Sequence, residues 1–234
     1  MNIRIACCAA ASIASAASAS IITGVAANTS FVGANGEYCQ LDLYITFSQD
    51  FYRLGAVYDS HIALSGVTFA DCIHHDTGEL GGTWAPQSTL DPIDSFVTLG
   101  TLLGPTNSTA ADPLWGPRGF DQVGIPDGAG WFNSYPNNFE GQTQLVTLFN
   151  TAGEATYSGW AVLAASFVVP KDLASGATLS FSSGCQWLYA LDIFGFANVS
   201  GTFEFAPVPA PGAAVVLALS GIRGSRRRND RSSA

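Results

Sequence analysis

Strict alternation of apolar and polar side chains marks the clearest element of the sequence, the segment from Cys39 to Ser48. Apolar residues occupy the odd positions from Cys39 to Phe47, opposite Gln, Asp, Tyr, Thr and Ser at the even ones. Because successive side chains of a β-strand point to opposite faces, this pattern predicts a strand with one buried face. The segment 198–205, NVSGTFEF, alternates in the same way and is predicted to be the last strand.

Short apolar or alternating runs lie between these two segments, and each is closed by Gly, Pro, Asn or Asp. The segment 160–169 is almost continuously apolar and ends in Val-Val-Pro, which predicts a central strand buried on both faces. Its alanines also suit a helix, but the run is short for one. Many short strands separated by turn signals predict an all-β fold, an antiparallel β-sandwich of Ig-like or jelly-roll type.

The segment 80–135 is rich in Gly, Pro, Asn and Trp and is predicted to form long loops on the sandwich. Its aromatic residues include Trp84, Trp115, Trp131 and Tyr135. An aromatic ring stacks on the C–H surface of a sugar, while neighbouring Asn and Asp side chains bond the sugar hydroxyls. These four residues are therefore candidates for glycan binding. The alternative is that they anchor the loops to the sandwich, since large aromatic residues are mostly buried.

The distribution of charge excludes one class of partner. The chain has 234 residues, 47% of them hydrophobic, which is enough for one sandwich-sized domain. Between residues 20 and 206, seventeen acidic residues stand against three basic ones, Arg53, Arg118 and Lys171. Such an acidic body repels phosphate backbones, so no nucleic-acid partner is expected.

The first 19 residues have the pattern of a secretory signal peptide. Arg4 supplies a short positive region, an apolar stretch follows over 5–16, and Ala-Ser-Ala at 17–19 is a small-residue cleavage site. The expected domain organisation is a signal peptide over 1–19, a β-sandwich over 20–206 and a C-terminal tail over 207–234.

Export would place Cys39, Cys72 and Cys185 in an oxidising compartment, where one disulfide is expected and its pairing stays open. Cys72 also lies in the segment DCIHHDTGE. In an extended conformation Cys72, His74 and Asp76 would share one side, which makes them a candidate transition-metal site. The alternative is a polar loop in which Cys72 belongs to the disulfide.

Motifs of the large enzyme classes are absent from the sequence, which has no G-x-S-x-G, H-E-x-x-H, Gly-rich phosphate loop or paired C-x-x-C. No catalytic residue and no cofactor is therefore assigned. Calcium is a candidate ligand, and its site would be assembled from separate loops because no D-x-D-x-D-G loop is present. The alternative to a non-enzymatic protein is a secreted polysaccharide hydrolase that brings together carboxylates such as Asp94, Asp121 or Glu140.

The tail has three parts in order: a Pro-x-Pro segment, an apolar run over 212–222 and an arginine cluster. As a helix the apolar run would span roughly 16 Å at about 1.5 Å per residue, against a hydrocarbon core of about 30 Å. Only transient membrane contact is therefore expected. The tail resembles the PEP-CTERM sorting signal of exported bacterial proteins in its V-P-A-P-G form. The residues that carry the resemblance are Val208, Pro209, Ala210, Pro211, Gly212, Arg226, Arg227 and Arg228.

The resemblance implies processing by an exosortase-type membrane enzyme, which would recognise and remove the tail. The tail departs from the common pattern by having Ala210 where many members carry Glu, and by its short apolar run. The resemblance also implies a location at the surface or in the extracellular matrix of a bacterium. The expected function is that of a non-enzymatic exported surface or matrix protein, with extracellular polysaccharide or calcium as the candidate ligand.

Overall fold

The computed structural model describes residues 20–74, 83–86, 93–100, 107–135, 138–190 and 193–206. Its strands are β1 (Ile22–Val32), β2 (Tyr38–Phe47), β3 (Arg53–Ser65), β4 (Phe96–Val97), β5 (Thr109–Ala111), β6 (Trp131–Asn133), β7 (Gln144–Phe149), β8 (Ala155–Pro170), β9 (Thr178–Ala190) and β10 (Ile193–Glu204). The helical elements are two 3₁₀ turns, Phe69–Asp71 and Pro113–Trp115, and the one-turn helix α1 (Lys171–Ala174). Within the described ranges, no helix combines the length and the hydrophobicity that a membrane crossing requires.

The strands form two five-stranded sheets, and within each sheet the neighbouring strands pair antiparallel. The first sheet has the order β1-β2-β8-β4, with β7 also paired to β8. The second sheet has the order β10-β9-β3-β6-β5. The prediction of an antiparallel all-β sandwich is confirmed.

The core lies where the alternating pattern predicts it. The apolar side of β2 from Cys39 to Phe47 is buried, and the run over 161–169 in β8 is buried at every position. The central strand expected from the apolar run is therefore confirmed, with β2 paired along it. The polar side of β2 is half-buried instead of solvated, and on it Gln40 Nε2 donates to Asp42 Oδ1 at 2.8 Å and to Ser166 Oγ of β8 at 3.0 Å.

Three tryptophans anchor the segment predicted as long loops. Trp84, Trp115 and Trp131 are at most 1% exposed. The Trp131 indole donates to the Thr98 carbonyl at 3.0 Å, and the Trp115 indole donates to the Gly130 carbonyl at 2.7 Å. These contacts tie the short elements β5 and β6 and the second 3₁₀ turn to the core.

The expected disulfide is not formed, and the three cysteines lie on separate elements. Cys39 in β2 donates its Sγ–H to the Phe205 carbonyl at 3.0 Å. Cys72 follows the first 3₁₀ turn and contacts the Thr68 carbonyl at 3.8 Å, and Cys185 lies in β9 of the second sheet. All three are buried free thiols.

Candidate functional site

The outer face of the second sheet carries an exposed surface built by β10, β9 and β3. On β10 the even-numbered residues over 194–204 are all exposed. Their cross-strand partners on β9 are the even-numbered residues over 178–188, and β3 extends these rows. Directly paired residues of antiparallel strands project to the same side of a sheet, so these side chains form short rows across it.

One half of this outer face is aromatic. Phe194 and Phe196 are more than half exposed, and their ring centroids are 5.8 Å apart. The Tyr58 ring of β3 meets Phe196 edge-on at 6.0 Å. Tyr58 lies across Gly184 of β9, where a Cβ atom would overlap its ring. The glycine therefore lets the tyrosine lie against the sheet, and Tyr58, Phe194 and Phe196 together form what we call the aromatic patch.

The other half of the outer face carries hydroxyl and amide groups, which we call the hydroxyl rows. Their members are Ser180, Ser182, Asn198, Ser200 and Thr202. Ser182 pairs with Ser200, and the hydroxyls of Ser180 and Thr202 are 3.0 Å apart. Two adjoining shallow depressions, of about 440 and 330 Å³, lie along these rows and share Ser182, Ser200 and His61.

A β-bulge in β3 adds a carboxylate to the hydroxyl rows. Tyr58 pairs with Gly184 and His61 pairs with Ser182, so β3 carries one extra residue between the two pairs. Asp59 stands at this point with a positive φ of 49°. A bulge redirects side chains in this way, and here Asp59 and His61 both reach the exposed face.

The loop over 126–129 brings a second carboxylate to the same place. Its backbone is bound to the bulge, because Gly128 N donates to the Ser60 carbonyl at 2.8 Å and Ser60 N donates to the Ala129 carbonyl at 3.2 Å. Asp127 Oδ1 lies 2.6 Å from His61 Nδ1, and Asp59 Oδ1 lies 3.5 Å from His61 Nε2. The hydrogen bond with Asp127 raises the pKa of His61 above its ordinary value.

The glycan candidates from the sequence are not brought together on this surface. Trp84, Trp115 and Trp131 are buried in the core and present no ring face to solvent, which matches the alternative of loop anchoring. Tyr135 is exposed, just after β6, and its backbone N–H donates to Asn133 Oδ1 at 2.8 Å.

Two of the three metal candidates, Cys72 and His74, have buried side chains. Burial raises the pKa of the Cys72 thiol to about 12, with the Asp71 carboxylate adding to the shift. The His74 ring packs edge-on against Trp84 at 4.7 Å, and burial lowers the pKa of His74. Asp76 lies outside the described residues. In the part of the chain that the structure describes, no group of three or more His, Cys, Asp or Glu side chains is arranged to hold a metal.

The three carboxylates considered for hydrolysis have different surroundings. Asp94 is buried with its Oδ1 3.9 Å from His74 Nδ1. Glu140 is also buried and accepts hydrogen bonds from Ser108 N at 2.5 Å, from the Ser108 hydroxyl and from Thr109 Oγ1 at 3.1 Å. Asp121 is exposed. Two of the three groups are therefore buried and one is exposed, and the hydrogen bonds of Glu140 fasten β5 to the segment before β7.

Sequence reasoning missed the aromatic patch, although a signal for it was present. Phe194 and Phe196 have the same parity as Asn198 and Ser200, so the alternation of the last strand already assigns both rings to the solvent side. The pairing of His61 with Asp127 had no such signal, because the two residues are 66 positions apart.

Both terminal segments lie outside the described residues. These are the segment 1–19, expected to be a signal peptide, and the tail over 207–234, which includes every residue of the expected sorting motif. Comparison of the chain with protein-family models, with curated protein sequences and with solved structures gave no significant match.

Proposed function

We propose that this chain is a non-enzymatic exported protein of a bacterial cell surface or extracellular matrix, and that its outer face binds polysaccharide. The observation that carries the proposal is the aromatic patch beside the hydroxyl rows on one sheet. Phe196 is 61% exposed, which leaves its ring available to a ligand. Exposed aromatic rings next to polar groups of fixed position are typical of surfaces that bind another molecule.

The chemistry of the outer face matches that of a sugar chain. A pyranose ring has apolar C–H faces and a rim of hydroxyls, so the aromatic patch offers stacking and the hydroxyl rows offer donors and acceptors. The groups are carried by paired strands of a sandwich, whose positions are fixed before a ligand arrives. Little conformational entropy is then lost on binding.

Export and sorting are proposed from the two ends of the sequence. The leader has the pattern of a signal peptide, and the tail resembles a PEP-CTERM signal that an exosortase-type enzyme would process. The intact mass of the protein recovered from the surface and medium of its own cells tests this. Loss of about 19 N-terminal residues together with the tail is expected. Recovery of a species that keeps Arg226–Arg228 would refute sorting.

Binding is tested with a panel of soluble polysaccharides, followed by calorimetry on those that bind. Phe196→Ala is expected to weaken binding about 10-fold, because one stacked ring is worth about 1.4 kcal/mol. The control is Phe149→Ala in β7 of the other sheet, where the ring is 43% exposed and no loss is expected. Thermal unfolding checks that both variants are folded. Failure of the panel to bind, or equal binding by Phe196→Ala and wild type, would refute the proposal.

A further inference from the structure

The half of the outer face that carries the hydroxyl rows, which is proposed to bind glycan, also carries carboxylates. Asp59 and Asp127 flank His61 at the depressions, and their side chains are 73% and 83% exposed. Glu204 follows the hydroxyl rows on β10 and is exposed as well. A glycan lying along these rows therefore meets carboxylates on two strands and on the loop over 126–129.

Two basic side chains of the sandwich contact residues that line neither depression. Lys171 Nζ lies 4.4 Å from the centre of the Phe31 ring, and Arg53 Nη1 donates to the Asn138 carbonyl at 2.6 Å. Arg118 lies in the turn after the second 3₁₀ element. Neither depression on the outer face is lined by a lysine or an arginine among the described residues.

We propose that the outer face selects glycans that carry protonated amino groups and rejects glycans built from uronic acids. The inference rests on the proposed function and names its substrate class. A sugar ammonium beside Asp59 or Asp127 forms an exposed ion pair, whereas a sugar carboxylate meets like charge, with no lysine or arginine lining either depression. Protonation of His61 does not reverse this preference, because the one cation stands between two carboxylates.

Three hexamers on one β-1,4-linked backbone separate charge from shape. They are the glucosamine hexamer, cellohexaose and the glucuronic acid hexamer, measured by calorimetry in mildly acidic, low-salt buffer where the amines are protonated. Wild type is expected to bind the amine most tightly and the acid least. Two exposed ion pairs correspond to a preference of roughly 10-fold for the amine over cellohexaose, which declines as salt is added.

The double variant Asp59→Asn, Asp127→Asn removes the two charges with little change of shape. It is expected to lose the roughly 10-fold preference for the amine and to bind cellohexaose as wild type does. The control is Asp172→Asn, Glu154→Gln, which removes the same charge at two exposed positions off this face. The control is expected to keep the preference.

The outcomes distinguish this inference from the proposed function. Three results would overturn the charge selection: equal binding of the three hexamers, binding of none of them, or an equal loss of preference in both double variants. In each case the carboxylates of Asp59 and Asp127 confer no advantage. Such a result leaves the proposed function standing if binding in the polysaccharide panel still depends on Phe196. If hexamer and panel binding are both unchanged in Phe196→Ala, the proposed function fails as well.

Discussion

Asp42 is expected to make the stability of the sandwich fall as pH rises. Burial raises the pKa of this carboxyl from 3.8 to about 6, against hydrogen bonds from Ser166, Gln40 and Asn28 that lower it. The folded state therefore holds a proton that the unfolded state releases between about pH 4 and 6. This rise in the pKa of Asp42 corresponds, at about 1.4 kcal/mol for each tenfold change in proton affinity, to about 3 kcal/mol of stability. The stability is present at pH 4 and lost above pH 6.

The substitution Asp42→Asn tests this expectation because it keeps the shape of the side chain and cannot ionise. Urea unfolding at closely spaced pH values should show Asp42→Asn more stable than wild type by up to about 3 kcal/mol above pH 7. The difference should shrink to near zero or change sign below pH 4. Asp172→Asn, at an exposed position on α1, is the control and should leave the pH profile unchanged. A wild-type profile that runs parallel to that of Asp42→Asn between pH 4 and 7 would refute the reasoning.

Two further predictions concern the backbone and the thiols. Gly141→Ala should destabilise the protein by at least about 2 kcal/mol in urea unfolding, because φ is +77° and the new Cβ would meet the Leu54 carbonyl. Gly153→Ala, with φ +81° and open space, should cost about 1 kcal/mol, and equal costs would contradict the steric argument. Burial raises the pKa values of the Cys39, Cys72 and Cys185 thiols to about 11, 12 and 12. These thiols should therefore resist alkylation in the native state and react after unfolding. Peptide mass spectrometry checks this, and a disulfide-linked peptide would contradict the structure.

The strands could be predicted because alternation reports directly on which side chains are buried. The pattern from Cys39 to Phe47 assigns one face of β2 correctly, and the apolar run in β8 identifies a central strand. The same pattern does not report what covers the other face. Asp42 was assigned to a polar face and is nevertheless half-buried, with partners Asn28 and Ser166 on the two neighbouring strands.

The site was less predictable because it depends on contacts between distant segments. Trp84, Trp115 and Trp131 have the residue type expected of a glycan site, but residue type alone does not separate a ring that stacks on a sugar from one that fills the core. The two exposed phenylalanines of the aromatic patch, Phe194 and Phe196, lie on a regular strand and not in the loops. The carboxylate of Asp127 reaches the hydroxyl rows because backbone hydrogen bonds hold its loop against β3.

The extra residue in β3 also indicates one way in which the outer face could change over evolutionary time. Two residues of β3 stand opposite Ser183 of β9, so a chain one residue shorter there would keep the pairs on both sides, Tyr58 with Gly184 and His61 with Ser182. Asp59 is in this sense an insertion that the sheet tolerates without a change of register. Gain or loss of a single codon at this point is expected to alter the charge of the outer face while the strand pairs on both sides are kept.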